Sequence, residues 1–522
     1  LYTPCTRLDI RLEYFLIHSY LYSRQKTLYK SGLLMLIDAT ELTNGDSVEA
    51  DLCIVGAGAV GIAMALEFDG SNKKVVVLES GGFELEPRTQ SLYKGTHVGR
   101  PTYPLDRNRL RFFGGTTNHW AGHCRPFDDF DFSVRDWIPH SGWPIQFNDV
   151  EPYIERTQQI LELGKYDYDS LEEYASQLGF KTLPLDSSRL ISVMKHQSPP
   201  TRFNTAYRKQ MKDSENISVF LHSNVLELLT NESASHITGA DVACIDGPRY
   251  KVRAKQFVLA TGGLENPRIM LLSNSTAPNG LGNSRGVVGR YYTDHILIRP
   301  ALDISLSRTD LDFRLYTDLH EINGGLMFGI MTAAEELTRK EKLTRFRFHL
   351  YNLPPRYDVP VGGVFSAIDE APEVSPLSKE PGSHIQVHMA MEPIPNPDTF
   401  VRLSSTDTDL FGQRKLEVNW QVSDAELANA HRAVEICALE FARMGFGRAY
   451  SPLLENPHQW PSTFTSGKHH CGTTRMSDSP DTGVVDSNCK VFDIDNLYVT
   501  GSSVFPTIGH TNPTLNLIAL SL

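Results

Sequence analysis

A chain of 522 residues, 40% hydrophobic and 21% charged, has a globular composition and is long enough to bury more than one core, so two closely joined domains are expected. Its formal charge of −12, from 50 Lys and Arg against 62 Asp and Glu, comes without a basic run that would track a phosphate backbone, which argues against nucleic acid as a partner. Seven scattered cysteines without a CxxC pair suggest neither a disulfide framework nor a zinc ribbon and point to a reducing, cytoplasmic setting, and no apolar run of about 18 residues suggests a membrane span.

The first 34 residues begin without Met, are broken by charges, and lack the apolar segment and small-residue cleavage site of a signal peptide. "MLIDATEL" at Met35 looks like a natural start, so the segment before it reads as an extension or disordered leader, and the N-terminal extension is assigned to residues 1–46, ahead of the first domain. At the other end "NPTLNLIALSL" has helical apolar spacing but stops without a cap, as a truncated terminus would.

Between these ends the apolar run Leu52 to Val55 leads into Gly56-x-Gly58-x-x-Gly61 and an Ala-rich helical pattern. Strand, glycine turn and helix in that order suit a pyrophosphate. Gly56 allows the tight turn, Gly58 the approach of the phosphates, and Gly61 close helix packing. A second strand, "KKVVVLES", ends in Glu79, 18 positions after Gly61, where a carboxylate meets a ribose hydroxyl. "DVEPYIERTQQILELG" and "SDAELANAHRAVEICALEFARMGF" are helical by spacing, and "YNLPPRYDVPVGG" and "MEPIPNPDTF" are Pro-rich loops. "KQFVLATGGLENPRIMLLS" and "DNLYVTGSSVFP" are further strands that run into glycine turns at Gly262 and Gly501. Strands returning to one nucleotide from far along the chain suit a large flavoprotein.

These motifs together resemble the glucose-methanol-choline (GMC) oxidoreductases, FAD enzymes that oxidise alcohols and sugars. The resemblance rests on "GAGAVG", "RFFGGTTNHW", "LATGGLENPRIML", "VGRYYTDH", "HHCGTTRM" and "GHTNPTLNLIAL", in that order, and covers the chain from about Ala50 onward. The Gly-Thr-Thr-Asn-His-Trp form and the Asn-Pro-Thr ending lie nearer the pyranose oxidases and the fructose and gluconate dehydrogenases. The resemblance implies an α/β fold: a Rossmann-like FAD domain assembled from residues 47–128, 205–292 and 462–522, and an α+β substrate domain with a large antiparallel sheet from residues 129–204 and 293–461. Beyond the glycine turn and Glu79, it implies cofactor contacts at Gly115, Thr116, Asn118, His119, Val225, Gly262, Gly501, Ser502, Asn512, Pro513 and Thr514. His119 stands where some relatives carry a histidine bonded covalently to the flavin.

"HHCGTTRMSD", starting at His469, is where the proton chemistry belongs. Oxidising an alcohol takes a hydride from carbon and a proton from oxygen, and an imidazole is suited to accept that proton near neutral pH. Family register makes His469 the base and Asn512 the residue that positions the hydroxyl. His470 is the rival base, expected to hold the loop instead, and His510 the rival partner. Three contiguous residues, His469, His470 and Cys471, are poorly spaced for one tetrahedral metal ion, and Cys471 reads as a packed residue. The expected partners are a small alcohol or sugar and an electron acceptor that is oxygen, a quinone or a redox protein. The alternative is a non-oxidative flavoprotein of the same fold, a lyase or a light-driven decarboxylase.

Overall fold

The computed structural model describes residues 35–307, 312–352 and 384–522. The expectations for residues 1–34, and for most of the loop "YNLPPRYDVPVGG", lie outside the described residues.

The apolar run ahead of the glycine turn forms the end of the strand Ser47–Val55, whose last four residues are buried. Val75–Leu78 and Arg249–Leu259 pair with it in parallel, one on each side. Every residue of Val75–Leu78 is buried, and a strand covered on both faces has no reason to alternate polar and apolar side chains. Ile217–Leu221 and Leu497–Val499 extend the sheet in parallel, while Ile237–Ala243 and Asn224–Thr230 continue it antiparallel. Parallel neighbours require long crossovers, which is why one sheet, eight-stranded among the described residues, draws on such separated stretches.

One expectation is corrected here. Leu36–Asp38 pairs in parallel with Ile217–Leu221 as an edge strand of this sheet, so the N-terminal extension does not run to residue 46. Three residues carry too little periodicity to declare themselves as a strand.

The second large sheet is antiparallel and has nine strands among the described residues. Gly447–Tyr450, Ile296–Leu306, His384–Met391, Phe346–Asn352, Gly325–Ala333, Leu190–Gln197 and His123–Cys124 lie side by side in that order. Phe346, Phe348 and Leu350 belong to its apolar core, which places Arg347, His349 and Tyr351 on the opposite face of the same strand. The helix Asp424–Arg443 packs behind, opened by Ser423, whose hydroxyl accepts from the Glu426 N–H while its own N–H donates 2.6 Å to the Glu426 carboxylate. The other expected helix is broken into Phe147–Val150, a 3-10 turn Glu151–Tyr153 and Ile154–Ile160, because Pro152 withholds a backbone donor.

The expected domain borders also shift. His123–Cys124 and Phe464–Ser466, both assigned to the FAD segments, pair into the antiparallel sheet, and Gly95–His97 pairs with Arg414–Asn419. Strands of two or three residues are recruited by their partners, not by local pattern.

Candidate active site

The glycine turn is built as its spacing implies. Gly56 has φ +102°, and a Cβ there would lie 2.8 Å from the Ala260 carbonyl oxygen. A Cβ on Gly61 would lie 1.9 Å from the Gly56 oxygen, so no side chain is tolerated. Gly58 is different: a Cβ on it would meet no protein atom within 4 Å, and the same holds at Gly262, while at Gly501 the nearest atom is a Val60 methyl at 3.9 Å. These three residues follow three different parallel strands and flank the start of the helix Ala59–Glu67, whose first N–H groups favour anions. The cradle fits a dinucleotide pyrophosphate.

Glu79 ends the neighbouring strand, buried, with its carboxylate accepting from the N–H groups of Ala57 at 2.9 Å and Gly81 at 3.0 Å. Burial pushes its pKa up despite these donors. Each oxygen keeps a lone pair for a ribose hydroxyl. The 3-10 turn Gly115–Asn118 leans on the same loop: the Gly114 N–H donates to the Ala57 carbonyl at 2.8 Å, and a Cβ on Gly115 would come within 3.1 Å of the Gly58 Cα. Thr116 is exposed on this turn, and Asn118 donates through Nδ2 to the Phe113 carbonyl at 2.9 Å. His119, half-buried, has its pKa lowered to about 4, by burial first and then by Lys468 and Arg202. Val225 is half-buried on Asn224–Thr230, opposite Val242. The Ser502 hydroxyl donates to the His470 carbonyl at 2.7 Å, so toward a ligand it can only accept. Asn512 caps the helix Pro513–Ala519, which Pro513 and Thr514 open.

His469 and Asn512, 43 residues apart in sequence, are brought together with His469 Nε2 3.2 Å from Asn512 Nδ2. The other nitrogen of His469 faces a residue that sequence reasoning did not assign: Nδ1 lies 2.9 Å from Nδ1 of His295. His295 in turn directs Nε2 at the Gly509 carbonyl oxygen, 3.0 Å away. A carbonyl only accepts, so His295 carries its proton on Nε2, and its bare Nδ1 accepts from Nδ1–H of His469. Nε2 of His469 is therefore unprotonated, its lone pair accepting from the Asn512 NH2. Burial pushes His469 well below the usual histidine pKa, with His295, Arg347, Lys195 and Arg299 adding to it, and burial pushes His295 down to about 3, so both rings are neutral. Asp294 fixes the backbone by accepting from the His469 N–H at 2.8 Å, and a Cβ on Gly467 would lie 2.8 Å from His469 Nδ1.

His470 points elsewhere. Its Nε2 is 3.2 Å from Asn108 Nδ2, and its ring stacks near Tyr292. His510 is buried with Nδ1 unpartnered and does not meet His469. Cys471 is buried in a backbone bridge to Thr293, its thiol pushed well above the usual range by burial. Among the described residues no group of three or more His, Cys, Asp or Glu is placed to hold a metal ion, and no helix is long and apolar enough to cross a membrane.

The amide of Asn512 is fixed from its other end by residues the sequence did not announce. Lys195 Nζ donates to Asn512 Oδ1 at 2.6 Å and an Arg347 Nη donates to the same oxygen at 3.1 Å. Two donors on one atom identify it as the carbonyl oxygen and turn the NH2 toward His469. The available signal was "RFRFHLYN", in which cationic and aromatic residues alternate with apolar ones, and His295 lay unused inside "VGRYYTDH".

Residues 395–521 match the family model described as GMC oxidoreductase. Across 547 residues the chain is 23% identical to 2-methyl-1,2-propanediol dehydrogenase of Mycolicibacterium austroafricanum, covering 91% of this chain and 94% of that one. It is 20% identical to the fructose dehydrogenase large subunit of Gluconobacter japonicus, with 92% and 97% covered. Formate oxidase shares the fold, with a TM-score of 0.60 at 16% identity over 92% of this chain and 97% of that one. The resemblance read from the motifs and the mixed α/β fold class are borne out, and a fructose dehydrogenase, one of the groups toward which the motifs lean, is among the relatives.

Proposed function

The chain carries the C-terminal region of the GMC oxidoreductases, flavoenzymes that bind FAD, and from that premise we propose that His469 takes the hydroxyl proton when a polar alcohol or sugar is oxidised at CH–OH. The observation that carries this reading is the unprotonated Nε2 of His469, kept so by the proton order of His295 and facing the Asn512 NH2 at 3.2 Å, where a substrate hydroxyl would replace that contact. Gly56, Gly58, Gly61 and Glu79 would hold the dinucleotide, and the turn from Gly115 to His119 would meet its ring system. When bound, FAD supplies the acceptor for the hydride that leaves carbon.

The protein's part is orientation and proton transfer. Asn512 Nδ2 donates to the substrate oxygen and fixes the hydroxyl against Nε2 of His469. As the hydride leaves, the hydroxyl proton passes to Nε2, and the positive charge that results is delocalised over a ring whose Nδ1–H stays bonded to His295. Lys195 and Arg347 keep the Asn512 amide from flipping. His119, held neutral by its surroundings, has the lone pair that a covalent bond to the flavin requires. Acid precipitation tests that bond, since flavin colour released to the supernatant would exclude it.

The main test is anaerobic mixing, in the dark, of the holoenzyme with polyols, sugars and simple alcohols, following the visible flavin absorbance. Bleaching by at least one alcohol is expected. His469→Ala should keep its flavin and lose about 100- to 10,000-fold in the rate of bleaching. A variant that bleaches at the native rate removes His469 from the role of base, and bleaching by no alcohol, with turnover in a lyase or light-dependent assay, removes oxidation itself.

A further inference from the structure

Of the buried cations elsewhere among the described residues, four face carboxylates and the fifth, Arg475, faces the carbonyls of Pro506 and His140. Arg135 meets Glu392 at 2.6 Å, Arg109 meets Glu265 at 3.0 Å, Arg268 meets Asp409 at 2.6 Å, and Arg345 meets Asp128 at 2.8 Å. Such matching is what the cost of stripping water from a charge demands. Lys195 and Arg347 break the pattern, and burial lowers the pKa of both, Lys195 well below the usual lysine range, as expected of cations without an anion. Lys195 is fully buried and Arg347 is 4% exposed, yet among the described residues no carboxylate pairs with either. Their shared partner is a neutral oxygen, Oδ1 of Asn512, with the ring of His349 beside both at 3.5 and 3.3 Å. One guanidinium nitrogen of Arg347, Nη1, is buried without any partner.

We infer that the substrate itself supplies the missing anion: an alcohol with a carboxylate close along its skeleton to the reacting carbon, such as a 2-hydroxy acid or a sugar acid, whose carboxylate is bound by Lys195 and Arg347. This deepens the oxidation proposed above and rests on it. Asn512 sets the distance, because its oxygen lies under the two cations while its NH2 faces His469. The carboxylate and the hydroxyl must then sit only a few bonds apart. A carboxylate suits the site better than a phosphate, whose three terminal oxygens need more donors than Nη1 and the ammonium offer. The face agrees: His123 and His349, on strands of the same sheet with ring centroids 5.8 Å apart, are pushed toward the neutral form by burial and add no negative charge.

Binding would also sharpen the chemistry. Lys195 and Arg347 are among the charges that hold the His469 pKa down, so an anion between them makes His469 a stronger base when the right substrate is present.

The experiment uses the holoenzyme and two sets of probes. Acetate and acetamide, which share shape but not charge, are titrated calorimetrically. Glycolate against ethylene glycol, lactate against propane-1,2-diol and gluconate against sorbitol are compared as reductants of the flavin. Acetate should bind about tenfold or more tightly than acetamide and slow flavin reduction competitively, and the acid of at least one pair should outpace its neutral partner about tenfold or more. Arg347→Gln and Lys195→Met should each erase most of the preference for acetate. Equal binding of acetate and acetamide by the unaltered enzyme overturns the inference whatever the variants do. Neutral alcohols that bleach the flavin untouched by acetate would leave the oxidase reading standing and sink this one. Tight acetate binding with no alcohol oxidised would do the reverse.

Discussion

The glycine turn and the Lys195–Arg347 face are specified in opposite ways. On the parallel sheet the requirement is for missing atoms: Gly61 admits no Cβ, since one would stand 1.9 Å from a carbonyl oxygen. On the antiparallel sheet the requirement is for charge, placed by two strands that lie either side of Gly325–Ala333 and converge on one acceptor only in the folded chain. Backbone constraints are local and leave a motif; charge constraints arise by convergence and leave none.

That difference explains what was legible. Gly56, Gly58, Gly61 and Glu79 lie within one strand–helix–strand unit, so their spacing fixes their geometry before any tertiary contact forms. His469 and Asn512 were legible through family register, and the fold brings them together at 3.2 Å. His295 was not, because its role follows from a proton order set by the Gly509 carbonyl, a contact spanning 214 positions. Lys195 reads locally as one polar residue in the strand Leu190–Gln197, and nothing in that strand says that Arg347 will share its acceptor. The strand Leu36–Asp38 and the two-residue strand His123–Cys124 were invisible for a simpler reason, being shorter than one full alternation of a β pattern.

Breaking the backbone side should have the largest effect. Gly61→Ala is expected to cost about 3 kcal/mol or more and to yield protein without bound flavin, seen as loss of visible absorbance relative to the ultraviolet band. Flavin retained at native stoichiometry would mean that the turn relaxes around a methyl group. By contrast, the conservative replacements of Lys195 and Arg347 described above should leave the flavin in place, and an empty Lys195→Met protein would erase the distinction between the two faces.

An intermediate effect sharpens the electrostatic side. Burial pushes the Asp294 carboxyl up from 3.8 to about 7, so between those values the native protein retains a proton that the unfolded chain has released. The unfolded state then binds fewer protons, and stability falls as pH rises through this window and levels off above about pH 7. Asp294→Asn keeps an oxygen to accept from the His469 N–H and removes the charge. Its stability relative to the native protein should therefore rise by about 2–4 kcal/mol between acid and neutral pH, measured by urea unfolding across that range. A pH-independent difference would show that Asp294 is not the proton-retaining group.

The smallest effect concerns the part of the parallel sheet that no motif announced. His222 Nδ1 lies 3.0 Å from Asp38, at the end of the edge strand, and Nε2 lies 2.8 Å from Glu86. The hydrogen bond to Asp38 leads the causes that raise its pKa to about 9, against some loss from burial and with further help from Glu86. The folded state therefore holds the imidazolium more tightly than the unfolded chain, and this contribution is complete below about pH 6.5 and lost as pH rises through about 9. Because the carboxylates are 40% and 39% exposed, water and salt screen the pair, and His222→Gln should cost only about 1 kcal/mol at neutral pH. Unfolding curves for the two proteins should converge at alkaline pH, while proteolysis near Leu36 should rise in the variant only below it. Parallel curves across the whole range would mean that Leu36–Asp38 is held by its backbone pairing with Ile217–Leu221 alone, so that even this edge obeys the backbone rule of its sheet rather than the charge rule of the other.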